Sequence, residues 1–501
     1  MRSRLGRSAL AAAAVTALVG VSLVTVEAAA APAPGCATRT NNTTAKLQEC
    51  VTLEGVREHQ AAFQAIANAN GGTRVSGSPG YDASVDYVVD RLVAAGWNVT
   101  RQAFQFQTFI SLAPSVLERT QPPPVTPLEH NIMSYSGSGN VTAAVALPSV
   151  STGCFAADWA GFPVGAIALV ERGGSTSTFT CSFAIKAQNA IAAGAVGLIV
   201  YNNIAGPLNG TLGNTFTANF PAVGITQSLG QELAATPGLQ VHLQTSTLRG
   251  IATTENVLAE LPGKNADNVV MAGAHLDSVN AGPGINDNGS GSAALLEVAE
   301  NLAKVKPQNT LRFGWWGAEE SNLVGSTFYV NSLSEAEAEK IALYLNFDMV
   351  GSPNYVFFIY DGDNSDGVGS PAGPPGSAQI EKTFEQFYES RGVPYKGTDF
   401  TGRSDYGPFI AVGIPSGGLF TGAEGIKTAE EAALWGGSVG QQYDPCYHQA
   451  CDTYANNSDF ALDVNSDAIA HAVISYAMST ELINGTKSKG NFRPAAGALA
   501  A

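Results

Sequence analysis

Three short apolar runs in the second half of the chain are each followed at once by histidine or acidic residues. The first run covers 269–274, and the other two lie in the segments LRFGWWGAEE and IALYLNFDMVG. Segments with a helical pattern, such as SAALLEVAENLAKV, separate the runs. Strands that alternate with helices and are apolar along nearly their whole length predict an α/β fold, with a mostly parallel mixed sheet sandwiched by helices.

The residues that follow the three runs are expected to meet at one edge of this sheet, because open α/β sheets place their ligand sites at the carboxyl ends of the strands. These residues are His275 after the first run, Glu319 and Glu320 after the second, and Asp348 after the third. Asp287 joins them from a glycine-rich loop that leads into the next helix. One imidazole and four carboxylates at one edge predict a site for two metal ions.

Such a site gives these side chains different roles. Two ions roughly 3.5 to 4 Å apart need one shared ligand, and Asp287 suits that position because a glycine-rich turn leaves its direction free. His275 and Asp348 would hold one ion, and Glu320 with a second histidine would hold the other. Glu319 and Glu320 are adjacent and point in different directions if strand geometry persists. Glu319 can therefore reach the water between the ions as a general base.

The second histidine is predicted to be His448, in the segment DPCYHQACDT. A disulfide between Cys446 and Cys451 would fix the short loop that carries it, and a fixed loop suits a preorganised site. Tyr447 in the same loop can donate a hydrogen bond to a tetrahedral oxyanion. The other histidines lie in helices, or in or beside a segment without catalytic residues. They are His59, His130, His242 and His471.

The amino-terminal segment and the cysteines predict an exported, extracellular protein. Residues 1–34 have a basic start, an apolar run from Ala9 to Val26 and small residues suited to cleavage, which is typical of a signal peptide. A membrane anchor is the alternative interpretation of this run. All six cysteines follow the segment and form three close pairs, which predict disulfides in an oxidising compartment. The pairs are Cys36–Cys50, Cys154–Cys181 and Cys446–Cys451.

The charge of the chain argues against some classes of partner. The formal charge is −16, and loss of residues 1–30 removes three arginines and one glutamate, a net +2, which gives −18. An acidic surface of this size disfavours nucleic acid and anionic lipid as partners. After removal of the signal segment we expect no contact with a membrane, and we expect the chain to act as a monomer.

The segment from 129 to 250 differs from its surroundings, because it has short glycine-bounded apolar runs and no catalytic constellation. The order ALVERG, Cys181, Lys186, AAGA and GLIVYNN resembles a protease-associated (PA) domain. The resemblance implies a β-rich insert that acts as a lid or controls access of the substrate. A simple spacer is the alternative.

Five separated motifs resemble the zinc aminopeptidases of the M28 peptidase family, and most of all the secreted bacterial members. The motifs are AHLDS, GINDNGSG, WGAEE, NFDMVGS and CYHQACD. The likeness covers about 35–128 and 251–485, and it implies the zinc exopeptidase fold with two Zn²⁺ ions. The implied ligands are His275, Asp287, Glu320, Asp348 and His448, with Asp287 shared between the ions.

The same resemblance implies roles for further residues. Glu319 is the expected general base, Tyr447 the expected donor to the oxyanion, and Asp277 the residue that orients His275. The segments GRSDYGPF and GLFTGAE point to Arg403 and Phe420 as substrate-binding residues. In this family the peptide bond after the shared aspartate is cis, so the bond from Asp287 to Asn288 is expected to be cis.

The expected layout has a signal peptide at 1–34, a catalytic domain at 35–128 and 251–485, the PA insert at 129–250 and a tail at 486–501. The expected activity is release of N-terminal residues, large apolar ones by preference, from peptides or proteins. A carboxypeptidase, a glutaminyl cyclase and a binding protein on an inactive peptidase scaffold are the alternatives. A carboxypeptidase needs a basic cluster for the terminal carboxylate of its substrate, and Arg403 is the only strong candidate near the motifs. A glutaminyl cyclase works with one zinc ion, although ligand positions for two ions are present. A binding protein on an inactive scaffold would be expected to have lost metal ligands, and none is missing.

Overall fold

The computed structural model describes residues 35–36, 38–176, 179–367 and 372–485. The predicted signal segment at 1–34 and the predicted tail at 486–501 lie outside these residues.

Helices and strands alternate along most of the described chain. The helices are α1 (Thr44–Gln48), α2 (Leu53–Ala69), α3 (Pro79–Ala95), α4 (Phe183–Ala192), α5 (Gln227–Ala234), α6 (Gly289–Leu302), α7 (Val324–Ser332), α8 (Glu335–Ala338), α9 (Ser377–Arg391), α10 (Tyr406–Ala411), α11 (Ala429–Trp435), α12 (Asp459–Met478) and α13 (Glu481–Asn484). The strands are β1 (Asn98–Gln121), β2 (Thr126–Pro127), β3 (Asn131–Ile132), β4 (Gly139–Ala146), β5 (Ile167–Glu171), β6 (Gly197–Tyr201), β7 (Ala222–Ile225), β8 (Gln240–Leu261), β9 (Asn265–His275), β10 (Asn309–Trp316), β11 (Ile341–Phe347), β12 (Phe358–Tyr360), β13 (Lys396–Thr398) and β14 (Ser416–Phe420).

A mixed sheet carries the three apolar runs of the sequence side by side. From its edge strand, the order is β13-β12-β14-β11-β9-β10-β8, and the sheet continues from β8 through β4 into the insert. Strand β9 pairs in parallel with both β10 and β11, and β11 pairs in parallel with β14. The pairs β10/β8 and β12/β14 are antiparallel. The predicted fold class is therefore confirmed, and the carboxyl ends of β9, β10 and β11 lie next to one another.

Helices cover both faces of this sheet and enclose its core. Buried side chains of α2, α3, α6 and α12 pack with β9, β10 and β11 on one side, and α7 and α10 contribute to a second cluster with Trp316 and Tyr344. Helix α6 is buried over most of its length. This burial fixes the position of the loop that precedes α6, which carries Asp287.

A long antiparallel ribbon of β1 and β8 connects the main sheet to the predicted insert. The two strands pair from Asn98 opposite Glu260 to Gln121 opposite Gln240, with irregularities on the way. Beyond the ribbon, β4, β5, β6 and β7 pair in parallel in that order, and β3 pairs antiparallel with β7. These strands enclose apolar clusters of their own. The insert is thus β-rich, as its resemblance to a PA domain implied.

The three predicted disulfides are present, joining Cys36 to Cys50, Cys154 to Cys181 and Cys446 to Cys451. Within the described ranges, no helix combines the length and the apolar character needed to cross a bilayer.

Candidate metal centre

Histidine and carboxylate side chains form two groups of possible metal ligands that share Asp287. In the first group, Nε2 of His275 lies 3.2 Å from Oδ1 of Asp287 and 3.4 Å from Oδ1 of Asp348. In the second, Nε2 of His448 lies 3.1 Å from Oδ2 of Asp287 and 3.1 Å from Oε2 of Glu320. The two carboxylate oxygens of Asp287 therefore face different groups, which is the arrangement that a ligand shared by two ions requires.

The surroundings of these groups fit cations. Oδ1 of Asp348 and Oε1 of Glu320 are buried and accept no hydrogen bond within the described part of the chain. Burial lowers the pKa of His275, but the carboxylates of Glu319 and Asp348 raise it more, to well above its ordinary value. A buried carboxylate without a partner costs several kcal/mol in order of magnitude. Nitrogen and oxygen donors around a surplus of buried negative charge suit two divalent metal ions.

Glu319 lies beside the first group but outside both. Its Oε2 is 4.0 Å from Nε2 of His275, and its side chain is 10 % exposed. Burial raises the pKa of the Glu319 carboxyl well above its ordinary value, although His275 opposes this shift. Glu319 thus lies outside both groups, whereas its neighbour Glu320 belongs to the second.

Asp277 contacts the ring nitrogen of His275 that faces away from the two groups. Nδ1 of His275 lies 3.5 Å from Oδ1 of Asp277 and 3.2 Å from the carbonyl oxygen of Asp277. The backbone N–H of Glu319 donates to the same Oδ1 at 3.2 Å. Asp277 thus links the ends of β9 and β10, and leaves Nε2 of His275 facing the centre.

The loop that carries Asp287 is held by Asp452. The carboxylate of Asp452 accepts hydrogen bonds from the backbone N–H groups of Asn286 at 2.8 Å and Asp287 at 3.0 Å. On the other side, Asn288 donates from its side chain to the carbonyl oxygen of Phe347 at 2.9 Å. The bond between Asp287 and Asn288 is cis, so this expectation is confirmed.

Arg74 fixes the segment between His275 and Asp287. Its guanidinium is fully buried and donates to the carbonyl oxygens of Leu276, Pro283 and Gly284, the last two at 2.9 and 2.6 Å. Burial lowers the pKa of Arg74 to about 10, which leaves it protonated at neutral pH. One cation therefore binds both ends of the glycine-rich loop.

Replacement of Arg74 by methionine should destabilise this half of the molecule. The carbonyl groups of Leu276 and Pro283 would lose their donor, whereas that of Gly284 keeps the backbone N–H of Gly289. Each buried group left without a donor costs ~1–3 kcal/mol. We expect a clearly lower urea midpoint of unfolding, measured by tryptophan fluorescence. Arg74→Lys keeps the charge but cannot reach all three carbonyl groups. Its urea midpoint should therefore lie between those of Arg74→Met and wild type. Equal midpoints for wild type and Arg74→Met would contradict the role of Arg74.

Asp348 is held by a chain of side-chain hydrogen bonds under the sheet edge. The hydroxyl of Ser404 donates to Oδ2 of Asp348 at 2.5 Å and accepts from Asn346 at 2.8 Å. Tyr344 in turn donates to Asn346 at 3.1 Å. Oδ2 of Asp348 is thus occupied, and Oδ1 is left to face His275.

The disulfide-bounded loop brings His448 to the centre. His448 has a left-handed backbone conformation, with φ of 57°, and its ring stacks on that of Tyr447 at 3.9 Å between centroids. The side chain of Arg403 donates to the hydroxyl of Tyr447 at 3.2 Å and pairs with Glu424 at 2.8 Å. Tyr447 and Arg403 are therefore neighbours at the rim of the site.

A cavity of about 470 Å³ opens onto the two groups and is called the metal cavity below. Arg403, Phe420 and Tyr360 line it together with the metal-binding candidates. The insert also reaches it, through Ser134, Tyr135, Thr211, Gly213 and Asn214. The cavity thus combines an acidic floor, aromatic side chains and a wall from the insert.

Two other groups of possible ligands occur among the described residues. They are His59 with Glu297 and Glu300, and Asp361 with Asp363 and Glu381. Carboxylates in these groups already have protein partners. Glu300 pairs with Arg91, and Asp361 accepts from the backbone N–H of Ser365 at 3.0 Å.

The sequence prediction missed four residues that position the centre. They are Arg74, Ser404, Asp452 and Asp444, whose carboxylate accepts a hydrogen bond from the side chain of Asn286 at 2.7 Å. Arg74 lies in the segment TRVSGSPG, where no local pattern reveals its role. Asp444 and Asp452 flank the predicted disulfide loop, so the density of acidic residues there was a signal.

Known proteins resemble this chain over most of its length. Residues 256–473 match Peptidase family M28, and residues 141–233 match the PA domain. An aminopeptidase of Pseudomonas aeruginosa is 46 % identical over 455 residues, which cover 87 % of this chain and 83 % of the relative. Leucine aminopeptidase 2 of Trichophyton rubrum is 43 % identical over 430 residues, 85 % of this chain and 84 % of the relative.

Among solved structures, the aminopeptidase from Aneurinibacillus sp. strain AM-1 superposes with a TM-score of 0.68. It is 28 % identical, and the match covers 90 % of this chain and 99 % of that one.

Proposed function

This chain belongs to peptidase family M28, and from that membership we propose that it is a secreted aminopeptidase that uses two zinc ions. It would release N-terminal residues from peptides, preferably large apolar ones, and act as a single chain. The observation that carries the proposal is the pair of ligand groups that share the two oxygens of Asp287, with the buried Glu319 carboxylate beside them.

The donor set suits zinc, which binds histidine nitrogen and carboxylate oxygen. His275 and Asp348 would hold one ion, His448 and Glu320 the other, and Asp287 both. When bound, zinc polarises the scissile carbonyl group and lowers the pKa of water.

The remaining roles belong to the side chains of this protein. Glu319 takes a proton from the attacking water and then delivers it to the leaving amine. The hydroxyl of Tyr447 donates a hydrogen bond to the oxyanion as it develops. Asp277 keeps the ring of His275 in place. The preference for apolar residues is supported by Phe420 and Tyr360 in the metal cavity and by the name of the Trichophyton rubrum relative.

Export is supported by the signal-like segment at 1–34 and by three disulfides. In this proposal residues 35–128 and 251–485 form the catalytic domain and 129–250 form the insert. The insert limits access to the centre, since five of its residues line the metal cavity.

The proposal predicts about two zinc ions per active chain and no hydrolysis after their removal. Metal analysis of purified protein, before and after dialysis against a chelator, measures both. Activity should return on addition of zinc. One tightly bound ion per fully active chain would contradict the shared-ligand assignment.

Substrate panels separate the proposal from its alternatives. Leucine p-nitroanilide and Leu-Gly-Gly should be cleaved at the first residue, and their N-acetylated forms should be inert. A carboxypeptidase would instead cleave N-acetyl-Leu-Gly-Gly, and a glutaminyl cyclase would act on N-terminal glutamine.

A further inference from the structure

A second cavity, of about 310 Å³, adjoins the metal cavity and is called the outer cavity below. Its lining includes Gln107, Tyr135, Asn214, Phe216, Leu248 and Arg249. Tyr135 and Asn214 line both cavities, which therefore meet at these two residues. A peptide whose first residue lies in the metal cavity would pass these two residues to reach the outer cavity.

The walls of the outer cavity come from two parts of the fold. Gln107 and Arg249 belong to the β1–β8 ribbon, where Phe109 pairs with Arg249 and Gln107 with Ile251. Tyr135 and Asn214 come from the insert, and the hydroxyl of Tyr135 donates to the carbonyl oxygen of Gln107 at 2.9 Å. The outer cavity therefore exists only because the insert and the ribbon are packed together.

Arg249 gives this cavity a positive charge that the protein does not neutralise. Its guanidinium donates to the carbonyl oxygens of Tyr135 at 3.3 Å, Phe216 at 3.0 Å and Thr217 at 3.3 Å. These acceptors are uncharged and use three of its five N–H groups. Among the described residues, none of the ion pairs involves Arg249.

Asn214 stands where the two cavities meet. Its side chain makes no hydrogen bond to any other described group of the protein, so its amide is available to a ligand. An amide at this point can both donate to and accept from a peptide backbone that passes from one cavity to the other.

We infer that the outer cavity binds a carboxylate on the downstream part of a peptide substrate, with Arg249 as the recognising cation and Asn214 contacting the backbone on the way. The inference rests on the proposed aminopeptidase function. The carboxylate is either the C-terminus of a short peptide or an acidic side chain, because a guanidinium binds both in the same bidentate manner.

The first experiment compares free acids with amides. We would measure kcat/KM for Leu-Gly, Leu-Gly-Gly and Leu-Gly-Gly-Gly and for their C-terminal amides. At the length that reaches Arg249, the free acid should be preferred about tenfold, the effect of one charge-assisted contact. Acid-to-amide ratios near one at every length would overturn the inference. Leu-Gly-Asp-NH₂ against Leu-Gly-Asn-NH₂ then distinguishes an acidic side chain from a C-terminus.

Comparison of wild type with Gln107→Glu tests the role of Arg249 and leaves the hydrogen bonds of Arg249 to backbone carbonyl groups in place. Gln107 lies diagonally across the ribbon from Arg249 on the same face, within reach of a long side chain. Gln107→Glu adds a carboxylate beside Arg249 and is isosteric with wild type. It should bring the acid-to-amide ratio to about one. Persistence of the wild-type ratio in Gln107→Glu would overturn the assignment of Arg249.

Two further measurements complete the test. Arg249→Gln should also abolish the preference, and Arg249→Lys should restore part of it, since lysine keeps the charge but not the planar geometry. Leucine p-nitroanilide is too short to enter the outer cavity, so Gln107→Glu should cleave it at nearly the wild-type rate. If wild type fails to cleave this substrate, the proposed function itself is wrong. If it cleaves the substrate but shows no preference for acids, only the present inference is wrong.

Discussion

Glu319→Gln is expected to lower kcat by about 10³- to 10⁴-fold, at the upper end of what general-base catalysis contributes, while the zinc content stays unchanged. The carboxylate of Glu319 lies outside both ligand groups, 4.0 Å from Nε2 of His275. An amide of the same shape fills the same space but cannot take a proton from water or return it to the leaving amine. Both proton transfers should therefore fail in this variant.

Steady-state kinetics with leucine p-nitroanilide, together with metal analysis of the same samples, measures this effect. Glu320→Gln is the matched control, because it makes the same chemical change one residue away. Glu320 lies 3.1 Å from His448 within the second group, and an amide is a poor zinc ligand. That variant should lose one ion and recover some activity in excess zinc. If Glu319→Gln loses zinc and Glu320→Gln keeps both ions, the two roles are reversed.

Much of the candidate centre could be predicted from the sequence because of one property of parallel sheets. His275, Glu319 and Asp348 follow three apolar runs that form β9, β10 and β11. These strands are neighbours and run in the same direction, so residues that follow them meet even though they are far apart in the chain. A local pattern therefore contained information about a distant contact.

The residues that hold the metal-binding candidates in position are not marked by any such sequence pattern. Arg74 comes from the loop before α3 and reaches carbonyl groups more than 200 residues away. Its partners are backbone oxygens, which every residue possesses, so no sequence motif identifies them. The same holds for Asp452, which accepts from backbone N–H groups of the Asp287 loop. Such contacts follow from the folded backbone, and only a structure reveals them.

The ribbon of β1 and β8 shows a different limit of prediction from sequence, which concerns the length of a strand. The alternation in WNVTRQAFQFQTF is typical of a strand, but the strand continues to Gln121 and pairs with a partner of similar length. The composition changes along it, because one end packs on the main sheet and the other on the insert. A pattern that depends on burial is broken where the surroundings change, although the hydrogen bonding continues.

Asp287→Asn is expected to remove both zinc ions, a larger loss than any other single change at the centre should cause. Oδ1 of Asp287 faces His275 and Oδ2 faces His448, so one substitution weakens both ligand groups. An asparagine offers one oxygen and no charge, and it cannot replace a carboxylate shared by two cations. Hydrolysis should fall to the background rate.

The comparison with Asp348→Asn gives this prediction its control. Asp348 belongs to the first group alone, so its replacement should cost one ion and leave the second bound. The loop that holds Asp287 should keep its shape in Asp287→Asn, because Asp452 and Arg74 contact its backbone and not its side chain. Metal counts of about zero for Asp287→Asn and about one for Asp348→Asn, in samples with wild-type circular dichroism, are the expected result. Retention of one ion in Asp287→Asn would mean that Asp287 serves a single ion, and the centre would then need another shared ligand.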